Sequence, residues 1–180
     1  MPEAATVGEK GVPSVMGNAE IESVAVFLDA PNFYRCSKDH DVAVELDDVI
    51  QIARGFGRLV VASAYLAMKD GMPADYLARR HSQAGFEVKF VPPTYSSKDV
   101  DTTMVADIVQ ASYELNVDAF VIVSGDADFV PAIEIARRRG KRVVLIAYQQ
   151  NCSQALRSRA DSFVPLPLVN SLAPIRTAPT

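Results

Sequence analysis

The stretch Ala25-Val26-Phe27-Leu28-Asp29-Ala30-Pro31-Asn32 runs apolar for four residues and then ends in an acid, a proline-stiffened turn and an amide. Phe120-Val121-Ile122-Val123-Ser124-Gly125-Asp126-Ala127-Asp128-Phe129 repeats the plan, with acids again closing an apolar run. Both runs are continuous rather than alternating, which marks strands buried on both faces, as in a parallel sheet covered by helices. In open α/β sheets the functional crevice lies outside the carboxyl ends of the strands. Acids placed there converge although they are far apart in sequence. Convergent carboxylates repel one another and persist most readily around a hard cation such as Mg²⁺ or Mn²⁺.

Working outward, strand-length apolar runs fall at 24–28, 59–67, 86–91, 119–123 and 142–147, and helical stretches at about 46–56, 73–84, 101–116 and 128–139. The second helix opens with Pro73 in its first turn and closes before Gly85. Alternation of strand and helix predicts an α/β fold, a three-layer αβα sandwich with a mostly parallel, five- to six-stranded sheet and right-handed crossovers. Residues 1–21, rich in Gly, Pro, Ala and Glu, predict a flexible leader. Residues 22–168 hold the folded domain, and 169–180 a flexible tail.

A chain of 180 residues with 49% hydrophobic and 22% charged residues is an ordinary soluble single domain. Its net charge of −4 argues against coating nucleic acid through bulk charge but leaves room for a local basic patch. Arg137-Arg138-Arg139-Gly140-Lys141-Arg142 supplies one, although cations before a glycine are also what a helix C-terminus favours. Cys36 and Cys152 match no metal spacing and point to a reducing, cytoplasmic setting. His40 and His81 give no acyl-transfer constellation, and His81 reads as a packed residue. No apolar segment reaches membrane-span length and no signal pattern opens the chain, so no membrane partner is expected. Homo-oligomerisation is left open.

On the helix 101–116, Met104, Ile108, Ala111 and Leu115 form the buried stripe. Asp101 and Asp107 lie about 60° to either side of Met104, nearly two turns apart, or about 9 Å along the axis. Only Asp101, at the helix start, is placed next to the crevice.

Each acid alone is unspecific, since a lone strand-end Asp commonly caps a helix. The ordered set is informative: Val26-Phe27-Leu28-Asp29-x-x-Asn32, then Lys98-x-x-Asp101-x-x-Met104-x-x-Asp107, then Val123-Ser124-Gly125-Asp126-x-Asp128-Phe129. This set resembles the NYN domain, the LabA-like branch of the PIN-like nuclease superfamily, from about Val24 to Val164. The family's first motif has Gly after the strand-end acid, where this chain has Ala30-Pro31. The resemblance implies a parallel sheet flanked by helices, with acids that hold Mg²⁺ or Mn²⁺ for phosphodiester hydrolysis, typically of RNA.

On this reading Asp29 and Asp126 are the inner metal ligands, Asp101 completes the triad, and Asp107 orients metal-bound water. Asn32 holds a phosphate or a ligating carboxylate, Ser124 donates a hydrogen bond in the pocket, and Lys98 meets a substrate phosphate. Plainer roles compete: Asp128 as N-cap of a helix 129–139, Ser124-Gly125 as a tight turn, Lys98 as a solvated loop residue. For Asp29 burial without a partner is costly, which favours a metal. A basic rim of Lys98, Arg137, Arg138 and Arg142 around the acids suits single-stranded RNA. The expected function is a metal-dependent ribonuclease. The alternative is a catalytically weak or silent regulator that binds RNA or a protein partner. A Mg²⁺-dependent phosphotransferase is set aside, because Pro31 stands two residues after Asp29 where those enzymes carry a second acid.

Overall fold

The computed structural model describes residues 21–41, 44–68, 73–92 and 99–167. Lys98, the tail and the leader before Ile21 lie outside the described residues. The chain forms β1 (Ser23–Asp29), α1 (Ala30–Asp39), α2 (Leu46–Phe56), β2 (Arg58–Ala67), α3 (Ala74–Gln83) and β3 (Glu87–Val91). There follow α4 (Asp99–Glu114), β4 (Ala119–Val123), α5 (Val130–Arg138), β5 (Arg142–Tyr148), α6 (Gln154–Arg157) and β6 (Ser162–Leu166).

The strands lie in the order β3-β2-β1-β4-β5-β6, and every neighbouring pair is parallel. The chain moves outward from β1 to β3, returns through α4, and lays β4 on the other side of β1. All of β1 and β4 is buried, as their continuous apolar runs require. Val24, Val26 and Leu28 face one helical layer with Phe33 of α1 and Val49, Ile50 and Ala53 of α2. Ala25 and Phe27 face the other, with Met104 and Ile108 of α4 and Ile133 and Ala136 of α5. At the amino ends of the strands Asp118 accepts the Ser23 N–H and hydroxyl, both at 2.8 Å, fixing β1 against β4. That register sets Leu28 beside Val123, so the two acid-bearing turns emerge side by side.

Three elements lie beyond the runs read from sequence, the short α6 among them. Helix α1 occupies what reads as a turn: Asp29 caps it through the Asn32 N–H, and Pro31 sits in the first turn, where its missing N–H costs nothing. Strand β6 carries Pro165, which a central strand would not tolerate, and it is indeed an edge strand.

His81 on α3 is fully buried. Its Nδ1 faces the Leu77 carbonyl at 2.7 Å, which can only accept, so Nδ1 carries the proton. Nε2 then accepts from the Tyr34 hydroxyl at 3.1 Å. Burial holds this imidazole below its usual pKa, against the hydrogen bond to Leu77. Unfolding therefore takes up a proton at any pH below the free-histidine value of about 6.5 and above the folded value. Stability should fall as pH drops through that window, by up to about 1.4 kcal/mol per pH unit from this residue. Denaturant unfolding at two pH values checks it: the loss should be smaller in His81→Gln, and an unchanged pH slope would contradict it.

Candidate metal centre

The reversal of strand direction in the sheet order falls between β1 and β4, the position where open α/β sheets place ligands. Asp29 closes β1 and is 2% exposed. One carboxylate oxygen accepts the Ser124 hydroxyl at 2.9 Å and the other the Asn32 N–H at 3.1 Å. The Ser124 oxygen in turn accepts the Asp126 N–H at 3.2 Å, and Asn32 Oδ1 accepts the Gly125 N–H at 3.3 Å. The turn after β1 and the turn after β4 are thus locked together by side chains from both.

Burial pushes the Asp29 carboxyl above its usual pKa; the Asn32 and Ser124 hydrogen bonds oppose this, the nearby Asp126 charge adds to it, and Arg35 offsets it. A folded carboxyl raised in this way gives stability at low pH that is lost as pH rises through the folded value. Ser124→Ala removes a bond that favours the charged form, so it raises the Asp29 pKa further. The substitution should cost roughly 1–3 kcal/mol at neutral pH, and less near pH 4.5, where more of the carboxyl is protonated. Urea unfolding at both pH values is the check; an equal deficit at the two would refute this account of Asp29.

Gly125 has no room for a side chain: a Cβ there would lie 2.5 Å from the Asn151 carbonyl oxygen. The Gly125 carbonyl accepts the Ser153 N–H at 2.9 Å, so the segment after β5 packs directly on this turn.

Beside the network, Asp101, Asp126 and Asp128 each present a carboxylate oxygen, and these oxygens lie within 4.8 Å of one another. Asp101 stands in the first turn of α4, where the helix dipole favours negative charge. Asp126 caps the short 3-10 turn Ala127–Phe129, accepting the Asp128 N–H at 3.0 Å. The cap expected at Asp128 for the helix is not made: Asp126 caps the preceding 3-10 turn, and α5 follows Phe129 without a side-chain cap. Helix α5 starts later, at Val130, with Pro131 in its first turn.

Of the acids read from sequence as metal ligands, Asp101 and Asp126 come together, and Asp128 joins them in place of Asp29. Asp29 lies behind, engaged with Ser124 and Asn32. Asp107 faces β2 and β3, where it accepts the Tyr65 hydroxyl at 2.8 Å and the Lys89 ammonium at 2.7 Å. Burial, with Asp107 as hydrogen-bond partner, pushes the Tyr65 phenol well above its usual pKa. Nothing in the sequence joins residues 65, 89 and 107; the pairing of β2 with β3 sets Tyr65 beside Lys89, and α4 lays Asp107 against both. Burial raises both free thiols, Cys36 and Cys152, so neither is activated as a nucleophile.

The basic rim expected around the acids is corrected by the direction of the chain. Helix α5 starts at the crevice and runs back along the sheet, so Arg137 and Arg138 lie at the opposite edge. Arg142 pairs in register with Ala119, the first residue of β4, whereas the acids follow its last. Among the described residues Arg35 acts through its charge on Asp29, and Lys89, two strands away from Asp29, pairs with Asp107.

The family model of the NYN domain matches residues 23–168. The chain belongs to the NYN domain family. The six-stranded parallel α/β architecture of this NYN domain is a PIN-like fold, and the family sits within a nuclease-like superfamily. An uncharacterized protein of Methanocaldococcus jannaschii is 33% identical over 138 residues, which are 77% of this chain and 52% of the relative. The chain thus spans about half the length of that relative. A solved protein of unknown function from Vibrio parahaemolyticus RIMD 2210633 is similar with a TM-score of 0.72 and 25% identity, over 84% of this chain and 96% of its own. Among the described residues no helix is long and apolar enough to cross a membrane.

Proposed function

We propose that this NYN domain is a ribonuclease that hydrolyses phosphodiester bonds of single-stranded RNA with Mg²⁺ or Mn²⁺ held by Asp101, Asp126 and Asp128. The observation that carries the reading is the approach of these three carboxylates to within 4.8 Å at the sheet's reversal point. The donor set fits the ion: carboxylate oxygens suit hard cations, and ligand oxygens on one Mg²⁺ lie at most about 4.2 Å apart, a spacing that small side-chain shifts bring within reach of these three. When bound, such a cation polarises the scissile phosphate and lowers the pKa of a water at neutral pH.

The chain's own residues do the positioning. Ser124 and Asn32 hold the Asp29 carboxylate, and through it the turn that carries Asp126 and Asp128. Asp29 is then a positioning residue behind the ligands rather than a ligand. Arg35 and Lys89 supply positive charge near the crevice for a phosphate, while Asp107 steadies Lys89. An open crevice of this kind accepts a flexible strand more readily than a stiff duplex.

A second reading, an RNA-binding regulator without cleavage, is favoured by one observation. Asp29 and Asp126 both cap helical turns, which explains two acids without any metal. Assaying matched single- and double-stranded oligonucleotides with Mn²⁺ and with EDTA separates them. Metal-dependent cutting of the single strand is expected; binding without cutting selects the regulator, and cleavage that survives chelation contradicts both.

A further inference from the structure

The basic run of α5 and β5 lies far from the carboxylates and is left unused by the reading above. It lines an open groove of about 460 Å³ formed by Arg137, Arg138, Lys141 and Arg142 with Glu134 and Asp161. Gly140, in the left-handed region at φ +79°, makes the sharp turn that brings the end of α5 beside the start of β5. Both acids are committed: Glu134 pairs with Arg159 at 2.7 Å, and Asp161 with Arg137 at 3.0 Å while also accepting the Val143 N–H. Lys141 directs its ammonium to the Leu115 and Val117 carbonyls. Arg138 is exposed and forms no salt bridge among the described residues.

Arg139, beside the groove between Arg138 and Gly140 rather than in its lining, holds its guanidinium 4.4 Å from the ring centre of Tyr113, which is 62% exposed. An exposed aromatic beside a guanidinium is a surface on which a base stacks, and cations along a groove track a phosphate backbone. In a chain of net charge −4 this concentration of cations on one edge is not a bulk property. An acidic polypeptide would use the cations but not the ring.

We propose that this groove, with the Tyr113–Arg139 pair, is a second RNA-contacting site that grips a single strand away from the bond being cut. The identity of the ligand rests on the ribonuclease reading. Strand β5 separates the groove from the crevice by seven residues, or about 20 Å. A strand must therefore be several nucleotides long to touch both, and the groove confers a length preference on binding.

The test uses Arg138→Glu/Arg139→Glu, with Arg138→Gln/Arg139→Gln and Tyr113→Ala as milder variants, each compared with wild type by thermal unfolding. Fluorescence anisotropy in EDTA measures affinity for single-stranded RNA of roughly 20 nucleotides and of about four, across a salt series. For the long RNA the charge reversal should weaken binding by at least about tenfold, and each double arginine variant should flatten the salt slope by about 1.4, two phosphate contacts at 0.7 each. Binding of the short RNA, and its metal-dependent cleavage, should stay as in wild type. Unchanged long-RNA affinity and slope in variants that fold would overturn the proposal, as would polyglutamate competing as well as RNA of equal charge. Wild-type chain that binds long RNA through these arginines yet cuts none with Mn²⁺ would overturn the ribonuclease reading and leave the groove standing.

Discussion

Asp126→Asn should lower Mn²⁺-dependent cleavage of single-stranded RNA roughly a hundred- to a thousandfold, the loss of several kcal/mol of metal-derived stabilisation at about 1.4 kcal/mol per factor of ten. The Asn side chain keeps a carbonyl oxygen able to accept the Asp128 N–H, so the cap survives while the charge does not. That choice separates chemistry from folding. The metal-free mutant should be as stable as wild type or more so, because one of several crowded carboxylates is gone and the charge that adds to the Asp29 shift is removed. Asp126→Ala, which loses charge and cap together, should cost about 1 kcal/mol of stability as well. RNA cut by the Asn variant at the wild-type rate would place the chemistry elsewhere.

Gly125→Ala is expected to have the largest effect on stability of any single methyl added at the crevice. Its Cβ would meet backbone, not a flexible side-chain end: the Asn151 carbonyl oxygen at 2.5 Å and its carbon at 3.0 Å. Either the segment after β5 moves or the turn after β4 does, and both are tied by the Ser153 bond to the Gly125 carbonyl. Overpacking of this kind costs about 1–3 kcal/mol, or roughly 2–12 °C in Tm for a domain of this size. Because the same turn carries Asp126, cleavage should fall with stability, and high Mn²⁺ should restore it only in part. A variant with wild-type Tm and activity would show that the contact relaxes freely.

How much of this could be read beforehand differs element by element. The apolar runs ending at Leu28 and Val123 are long, continuous and closed by acids, and they are the adjacent central strands of the sheet. The sequence reading sets these two strands side by side, one of the orders that βα alternation allows, and the structure pairs them, so both turns meet at one edge. Helix α1 was not, since Ala30-Pro31 reads equally as a turn until the cap from Asp29 to Asn32 is seen. Asp128 reads as a helix cap, but a 3-10 turn capped by Asp126 is inserted before α5, which no periodicity reveals. Asp107 on α4 depends on Tyr65 and Lys89, contributed by the strands β2 and β3. The basic run fails for a simpler reason. A helix that returns along a parallel sheet must end at the edge away from the crevice, so Arg137 and Arg138 could have been excluded from the rim by topology alone.

Crystals of the chain soaked in Mn²⁺ and measured for anomalous scattering test the central claim most directly. The account predicts a peak among the carboxylates of Asp101, Asp126 and Asp128, at oxygen-ligand distances of about 2.1 Å, that is lost in Asp126→Asn, with Asp29 still bonded to Ser124 and Asn32. No peak at saturating Mn²⁺, or one confined to other acids, would contradict it.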